Sequence, residues 1–202
     1  INEIFVRLNK SKPLTGAEVR NAVAGPVSDL IRALRTHEVF LENIKFSVKR
    51  AADLNAVAKL LLFEYEGRPI ATKKTNLDEF ANQEIDRERL ELAGLRALDT
   101  LGAMAEVFIP KDSLLSSAGI VPVYYWFVRS VEWGDRAGIR EFLVHFEQKR
   151  KQNRDLQKKK GEEVLNPVLA RFDTLNRSTN DQSSHVGRIQ ILINEFDAWR
   201  SN

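Results

Sequence analysis

Cysteine is absent from the 202 residues, which excludes thiol nucleophiles, thiolate metal sites and disulfide frameworks in one step. Histidine is scarce. His37, His145 and His185 stand far apart, and none belongs to a paired metal motif such as H-E-x-x-H. No Gly-rich phosphate loop, G-x-S-x-G elbow or Walker-type motif occurs. Carboxylates are plentiful between Asp78 and Asp99 but scatter around a helix, so nothing sets a general acid apart from a general base. Catalysis by this chain alone is not expected, and neither is a metal or cofactor held by it. The longest apolar stretch, Ile120 to Val128, falls well short of the ~20 residues needed to cross a bilayer. A charged start followed by an apolar run is also missing. A cytoplasmic protein with no membrane contact is the expectation. Charge of one sign is lacking as well: Lys plus Arg is 31 against 28 Asp plus Glu, and a net +3 names no partner by itself.

What is present reads as a folded helical protein. A chain of this length can bury ~70% of its unfolded surface without staples, and 43% hydrophobic with 29% charged residues fits a soluble globular domain. It opens at Ile1 on sequence that already reads as structured, so a fragment lacking its preceding part is expected. Thr15-Gly16-Ala17-Glu18 forms a capping box. Gly25-Pro26 should end the helix that follows it, because Pro26 has no N–H and a fixed φ. A second helix is predicted over 26–36, with Val27, Leu30, Ile31 and Leu34 on one face, and a short one over 39–44. Ala51 to Tyr65 carries Leu54, Val57, Leu61 and Ala58, Leu62 at helical spacing, with Gly67-Arg68-Pro69 as its stop.

Leu77 to Phe108 contains no proline and is predicted as one long helix. Pro122 suits either the first turn of a buried helix or an edge strand. Since its neighbours are helical, Ile120 to Val131 is assigned as a central buried helix. Residues 135–165 form another long helix, with Ile139, Phe142, Leu143 and Phe146 as its stripe, and His145 packed or half-exposed beside it. Asn166-Pro167 breaks the run before a short helix to Leu175. The last helix puts Val186, Ile189, Ile193, Phe196 and Trp199 on one face. The fold expected is all-α, an irregular multi-helix bundle with long helices near 77–108 and 135–165.

The sharpest charge feature is Glu147 to Lys160. It holds Lys149, Arg150, Lys151, Arg154, Lys158, Lys159 and Lys160 against Glu147 and Asp155, a net +5, so the rest of the chain sums to −2. On a helix these cations form either a basic arm that neutralises nucleic-acid phosphates or a solvated helix end favoured by its dipole. Arg7, Asn9, Arg20 and Asn21 flank the first turn and helix. Together they could grip an anion or a carboxylate-bearing neighbour; alternatively Arg20 and Asn21 face water and Asn9 shapes the turn. Asp53 lies three residues after Arg50 and four after Lys49, which predicts a local ion pair or a helix-start role.

Ile4-Phe5-Val6-Arg7-Leu8-Asn9, then Pro13-Leu14-Thr15, Glu18 and Arg20-Asn21-Ala22, resembles the "IF-x-R-L-N … P-L … E-x-R-N-A" signature of the GmrSD-type restriction endonuclease N-terminal-domain family. Lys49-Arg50, Asp53 and Leu60-Leu61-Leu62 are similar to its "R-R … D … L-L" helix, and Lys73-Lys74 with Leu77-Asp78-Glu79-Phe80 to its "K-K … L-D-x-F" continuation. The resemblance covers about residues 1–80. It implies a ParB- and sulfiredoxin-like domain linked to nucleotide hydrolysis through a D-G-Q-Q-R motif, in bacterial antiviral defence systems that cut modified DNA, often with an HNH-type nuclease.

Neither motif is in this chain. The resemblance therefore implies that residues 1–22 are the trailing segment of a missing N-terminal domain, and 23–202 the helical domain after it. Nucleotide and divalent metal would belong to the missing domain. Arg7, Asn9, Arg20 and Asn21 would face that domain, and Arg50 and Asp53 would be structural. Two functions follow as expectations: a DNA-binding or coupling module of a restriction protein, or a structural module that forms homo-oligomers and has no nucleic-acid role.

Overall fold

The Thr15 hydroxyl accepts from the Glu18 N–H at 3.2 Å, and the Glu18 carboxylate accepts from the Thr15 N–H at 2.6 Å, completing the capping box that launches helix α1, Gly16–Ala22. A computed structural model describes residues 13–160 and 166–201 of the chain. Pro26, at the first turn, starts α2 (Pro26–Arg35) after the break at Gly25. A single π-helical turn, Val39–Asn43, leads to a 3-10 turn, Lys49–Ala51, and then α3, Ala52–Glu66. Gly67, at φ +67°, ends α3 in the left-handed region, where a Cβ would be strained. The remaining helices are α4 (Lys74–Asn82), α5 (Arg87–Val107), α6 (Val121–Ser130), α7 (Ile139–Lys160), α8 (Pro167–Leu175) and α9 (Gln182–Arg200). No strand occurs among the described residues, so the fold is all-α. None of the described helices is long and apolar enough to cross a membrane.

Two helices form the centre. α3 packs against α1, α2, α4, α5 and α6, so most of its circumference is buried, including Val57, Leu61 and Phe63. α6 is covered by α3, α5 and α9, and every residue from Val121 to Val128 is buried. This aromatic segment is the central helix expected of it. Pro122 lies in its first turn, where a missing N–H costs nothing. Phe127, Phe142 and Phe196 meet at centroid distances of 5.1–5.7 Å and knit α6, α7 and α9 together.

The expected helix over 77–108 is two helices. α4 ends at Asn82, Gln83 is extended, and Asp86 caps α5 by accepting from the Arg89 N–H at 3.1 Å. A good N-cap carboxylate outweighs the helix propensity of the intervening residues. The expected helix over 135–165 begins as a 3-10 turn, Trp133–Gly138, before α7; residues 161–165 lie outside the described set. On α9 the buried face is shifted. Val186 is exposed, whereas His185, Arg188, Ile189, Leu192 and Phe196 are buried.

Residues 13–22 are tied into this body. Arg50 and Ala51 both take left-handed φ, 60° and 57°, a conformation costly outside glycine. The Arg50 carbonyl accepts from the Thr15 hydroxyl at 3.2 Å, while its guanidinium donates to the Pro13 carbonyl and lies 3.4 Å from Glu18. The strained turn and the capping box hold each other.

Candidate anion-binding cleft

The sequence run 147–160 does not form a uniformly charged arm. At 100° per residue, Lys151, Arg154 and Lys158 fall on one side of α7, while Lys149 points to roughly the opposite side. Lys149 borders a separate hollow beside Trp199 and Glu195, with His145 half-buried next to it. Lys159 and Lys160 have side chains outside the described residues. Asp155 is exposed near the Lys151 side and subtracts one charge.

Arg150 is the correction. It is 6% exposed, donates to Glu147 and Asp173, and lies 4.3 Å over the Phe172 ring. The reason is register. Continuing the stripe Phe142, Leu143, Phe146 by four residues places Arg150 under α8, where Asp173 and Phe172 meet it. Despite burial, the adjacent Glu147 and Asp173 carboxylates raise its pKa. It is a structural cation rather than a phosphate ligand.

Around this ion pair, α7, α8 and the segment 113–120 enclose a two-lobed cleft of about 600 and 840 Å³, the lobes sharing Arg150, Arg154 and Asn176. The first lobe has hydroxyls on one side, Ser113, Ser116 and Ser117, with Gln148 and Lys151 facing it from α7. Leu114 and Ile120 from the 113–120 segment and Val144 from α7 add apolar surface to its lining. At its floor the Tyr124 hydroxyl donates to Glu147 at 2.7 Å. Burial, with the Glu147 carboxylate beside it, pushes the Tyr124 phenol well above its ordinary value and keeps it a donor. Arg177 borders the second lobe. Arg154 reaches Asp173 at 3.1 Å yet stays 41% exposed.

Beneath the cleft sits Arg188 from α9, fully buried, with no carboxylate among the described residues paired to it. It donates to the Gly119 carbonyl at 3.3 Å and to Asn176 Oδ1 at 2.9 Å, so it joins the 113–120 wall to the end of α8. Among the described residues its Nη2 has no hydrogen-bond partner. Burial and the neighbouring Arg150 charge lower its pKa to about 10, which still leaves it a cation at neutral pH. The only sequence signal for Arg188 is its spacing from Leu192 and Phe196.

The other sequence-predicted residues lie elsewhere. Arg7 and Asn9 are outside the described residues. Arg20 is turned inward, not toward an external anion: it is 5% exposed and donates to Asp78 and Asn55, each at 2.6 Å. The Asn21 carbonyl accepts from Arg32 at 2.8 Å, while its own side-chain oxygen is buried without a partner among the described residues. Asp53 opens α3 as expected of a first-turn carboxylate, but its partner is Arg35 of α2 at 2.7 Å, not Arg50 or Lys49. Arg50 is turned away by its left-handed backbone toward Pro13 and Glu18.

Among the described residues no group of three His, Asp or Glu side chains converges where it could hold a metal ion. Comparison of the chain with protein-family models, with curated proteins and with solved structures finds no match in any of the three.

Proposed function

We propose that this chain is a non-catalytic DNA-contacting and coupling module, the helical part of a GmrSD-like restriction protein. The DNA-contacting part rests on one observation: Lys151, Arg154 and Lys158 share a face of α7, and Arg177 joins them from the turn after α8. The restriction context is carried by the motif resemblance of residues 1–80. Lysine and arginine so placed suit phosphate diesters, whose binding releases counterions and weakens with salt.

Four such contacts set an expected slope of log K against log salt near −3.6, at about −0.9 per phosphate. Fluorescence anisotropy with a duplex across a salt series measures it. The triple variant Lys151→Glu, Lys158→Glu, Arg177→Glu should bring the slope close to zero, while Lys149→Glu should leave it within about one contact's worth. Undiminished binding by the triple variant, or equal loss from Lys149→Glu, overturns the proposal.

A second reading is a protein-interaction module, favoured by an exposed apolar ridge. Leu92, Leu95 and Leu98 on α5 are 47%, 63% and 45% exposed beside a hollow walled by Leu30 and Leu90. Contiguous apolar surface of this kind marks contact with another protein. If this reading holds, light scattering shows a defined oligomer that ignores DNA at low salt, and Leu95→Glu with Leu98→Glu returns it to monomer. A monomer at all concentrations rejects homo-oligomerisation.

A further inference from the structure

The cleft differs from an open phosphate-docking face in three respects: it is concave, part of its lining is apolar, and it has a buried cation behind it. Arg150, Lys151, Arg154 and Arg177 line it and Arg188 lies beneath, against Glu147 and Asp173, which gives a net +3. Both carboxylates are already engaged by Arg150. Arg188 has no such partner among the described residues, and an uncompensated buried charge is costly unless an anion comes near it.

A cleft of these dimensions lies in the range of small-ligand sites and is too narrow for a duplex to enter. A phosphate monoester carries about −1.5 to −2 at neutral pH, against −1 for a backbone diester, and so matches the excess charge better. The serine hydroxyls and Lys151 supply donors for its oxygens. Leu114, Ile120 and Val144 offer the apolar surface that an attached base would cover.

We infer that this cleft is a binding site for a phosphate monoester bearing an apolar or aromatic body, of the nucleoside 5′-monophosphate type. This rests on the reading that the α7–α8 face takes phosphate. The shared chemistry has two sources, a free nucleotide and the 5′-phosphorylated end of a strand.

The test uses adenosine 5′-monophosphate against adenosine by calorimetry, and a 5′-phosphorylated against a 5′-hydroxyl single strand by anisotropy. The phosphorylated member of a pair should bind at least about tenfold tighter. Discrimination in the first pair assigns the free nucleotide, and in the second pair alone the strand end. Val144→Trp and Ser116→Trp fill the cleft from opposite walls without changing charge. Each should abolish the discrimination while duplex affinity stays within about twofold, and both sites are exposed enough to accept the ring. Lys158→Glu, outside the cleft, should do the reverse.

Equal binding of both members in both pairs overturns the inference and leaves the duplex reading intact. Retained discrimination in both tryptophan variants also overturns it. Absence of duplex binding in the parent protein, with discrimination present, removes the duplex reading alone.

Discussion

Arg150→Ala is expected to lower unfolding stability by about 3 kcal/mol, whereas Lys149→Ala and Lys158→Ala, in the same charged run, should each stay within about 0.5 kcal/mol. The three residues look alike in sequence, and their surroundings decide the difference. Arg150 is nearly inaccessible, contacts two carboxylates from α7 and α8, and covers the Phe172 ring. Without it, Glu147 and Asp173 lose their shared counter-charge while remaining partly sheltered. Glu147 would still accept from Tyr124, but among the described residues Asp173 would keep only Arg154, which is 41% exposed. The loss is a desolvation penalty more than a lost attraction, so it should be recovered in part by removing the orphan. Asp173→Asn added to Arg150→Ala should cost less than the two single changes together, by about 1 kcal/mol. Urea unfolding measures each of these variants against the parent. If Arg150→Ala proves as mild as Lys149→Ala, the buried ion pair is not what joins α7 to α8.

Features that depend on residues within a turn of one another are legible in the amino-acid sequence. The Thr15–Glu18 box, the breaks at Gly25-Pro26 and Gly67, and the Asn166-Pro167 start of α8 are local chemistry, and each stands where expected. Partners across the fold are not legible in this way. Asp53 has cations three and four residues before it, yet the pair forms with Arg35, because two left-handed residues turn Arg50 away. The join between α4 and α5 is hidden because no proline marks it; a capping aspartate ends one helix by beginning another.

The cleft shows the same division. Its cations can be counted in the sequence, but which of them α8 covers depends on where Asp173 and Phe172 arrive. Hydrophobicity selects Val186 for the buried face of α9. The fold instead buries His185 and Arg188, with Thr72 partnering His185 Nε2 and Gly119 and Asn176 partnering Arg188 Nη1. A periodicity that admits polar residues at stripe positions places Arg150, His185 and Arg188 inside.

That burial makes stability pH-dependent. His185 is fully enclosed, with Nε2 3.0 Å from the Thr72 hydroxyl and its ring edge-on to Phe63 at 5.0 Å. Burial, then the positive charges of Arg188 on its own helix and Lys59 on α3, push its pKa down to about 3, with Asp181 opposing weakly. The unfolded chain protonates this histidine near its ordinary 6.5, while the folded chain keeps it neutral. Its contribution is therefore whole above pH 6.5 and is lost as pH falls from there toward 3. Each pH unit costs up to about 1.4 kcal/mol, so about 2 kcal/mol should go between pH 6.5 and 5, before most carboxylates titrate.

Lys59 acts at the other end with the same sign. Burial first, then Arg188 and Arg20, lower it to about 8, although its ammonium donates to Asn180 at 2.7 Å. Between pH 8 and its unfolded 10.5 the unfolded chain holds the extra proton, so stability rises by up to about 3 kcal/mol as pH increases. Urea midpoints from pH 5 to 10 should climb at both ends in the parent protein. His185→Gln keeps a polar partner for Thr72 and should flatten only the acid limb; Lys59→Met should flatten only the alkaline one. His37, lowered by partial burial, tilts the acid limb slightly in both parent and variant, which makes their difference the quantity to read. An acid limb of unchanged steepness in His185→Gln would mean that another group binds the proton, and that the enclosed imidazole is not the acid-sensitive joint between α9 and the 70–73 segment.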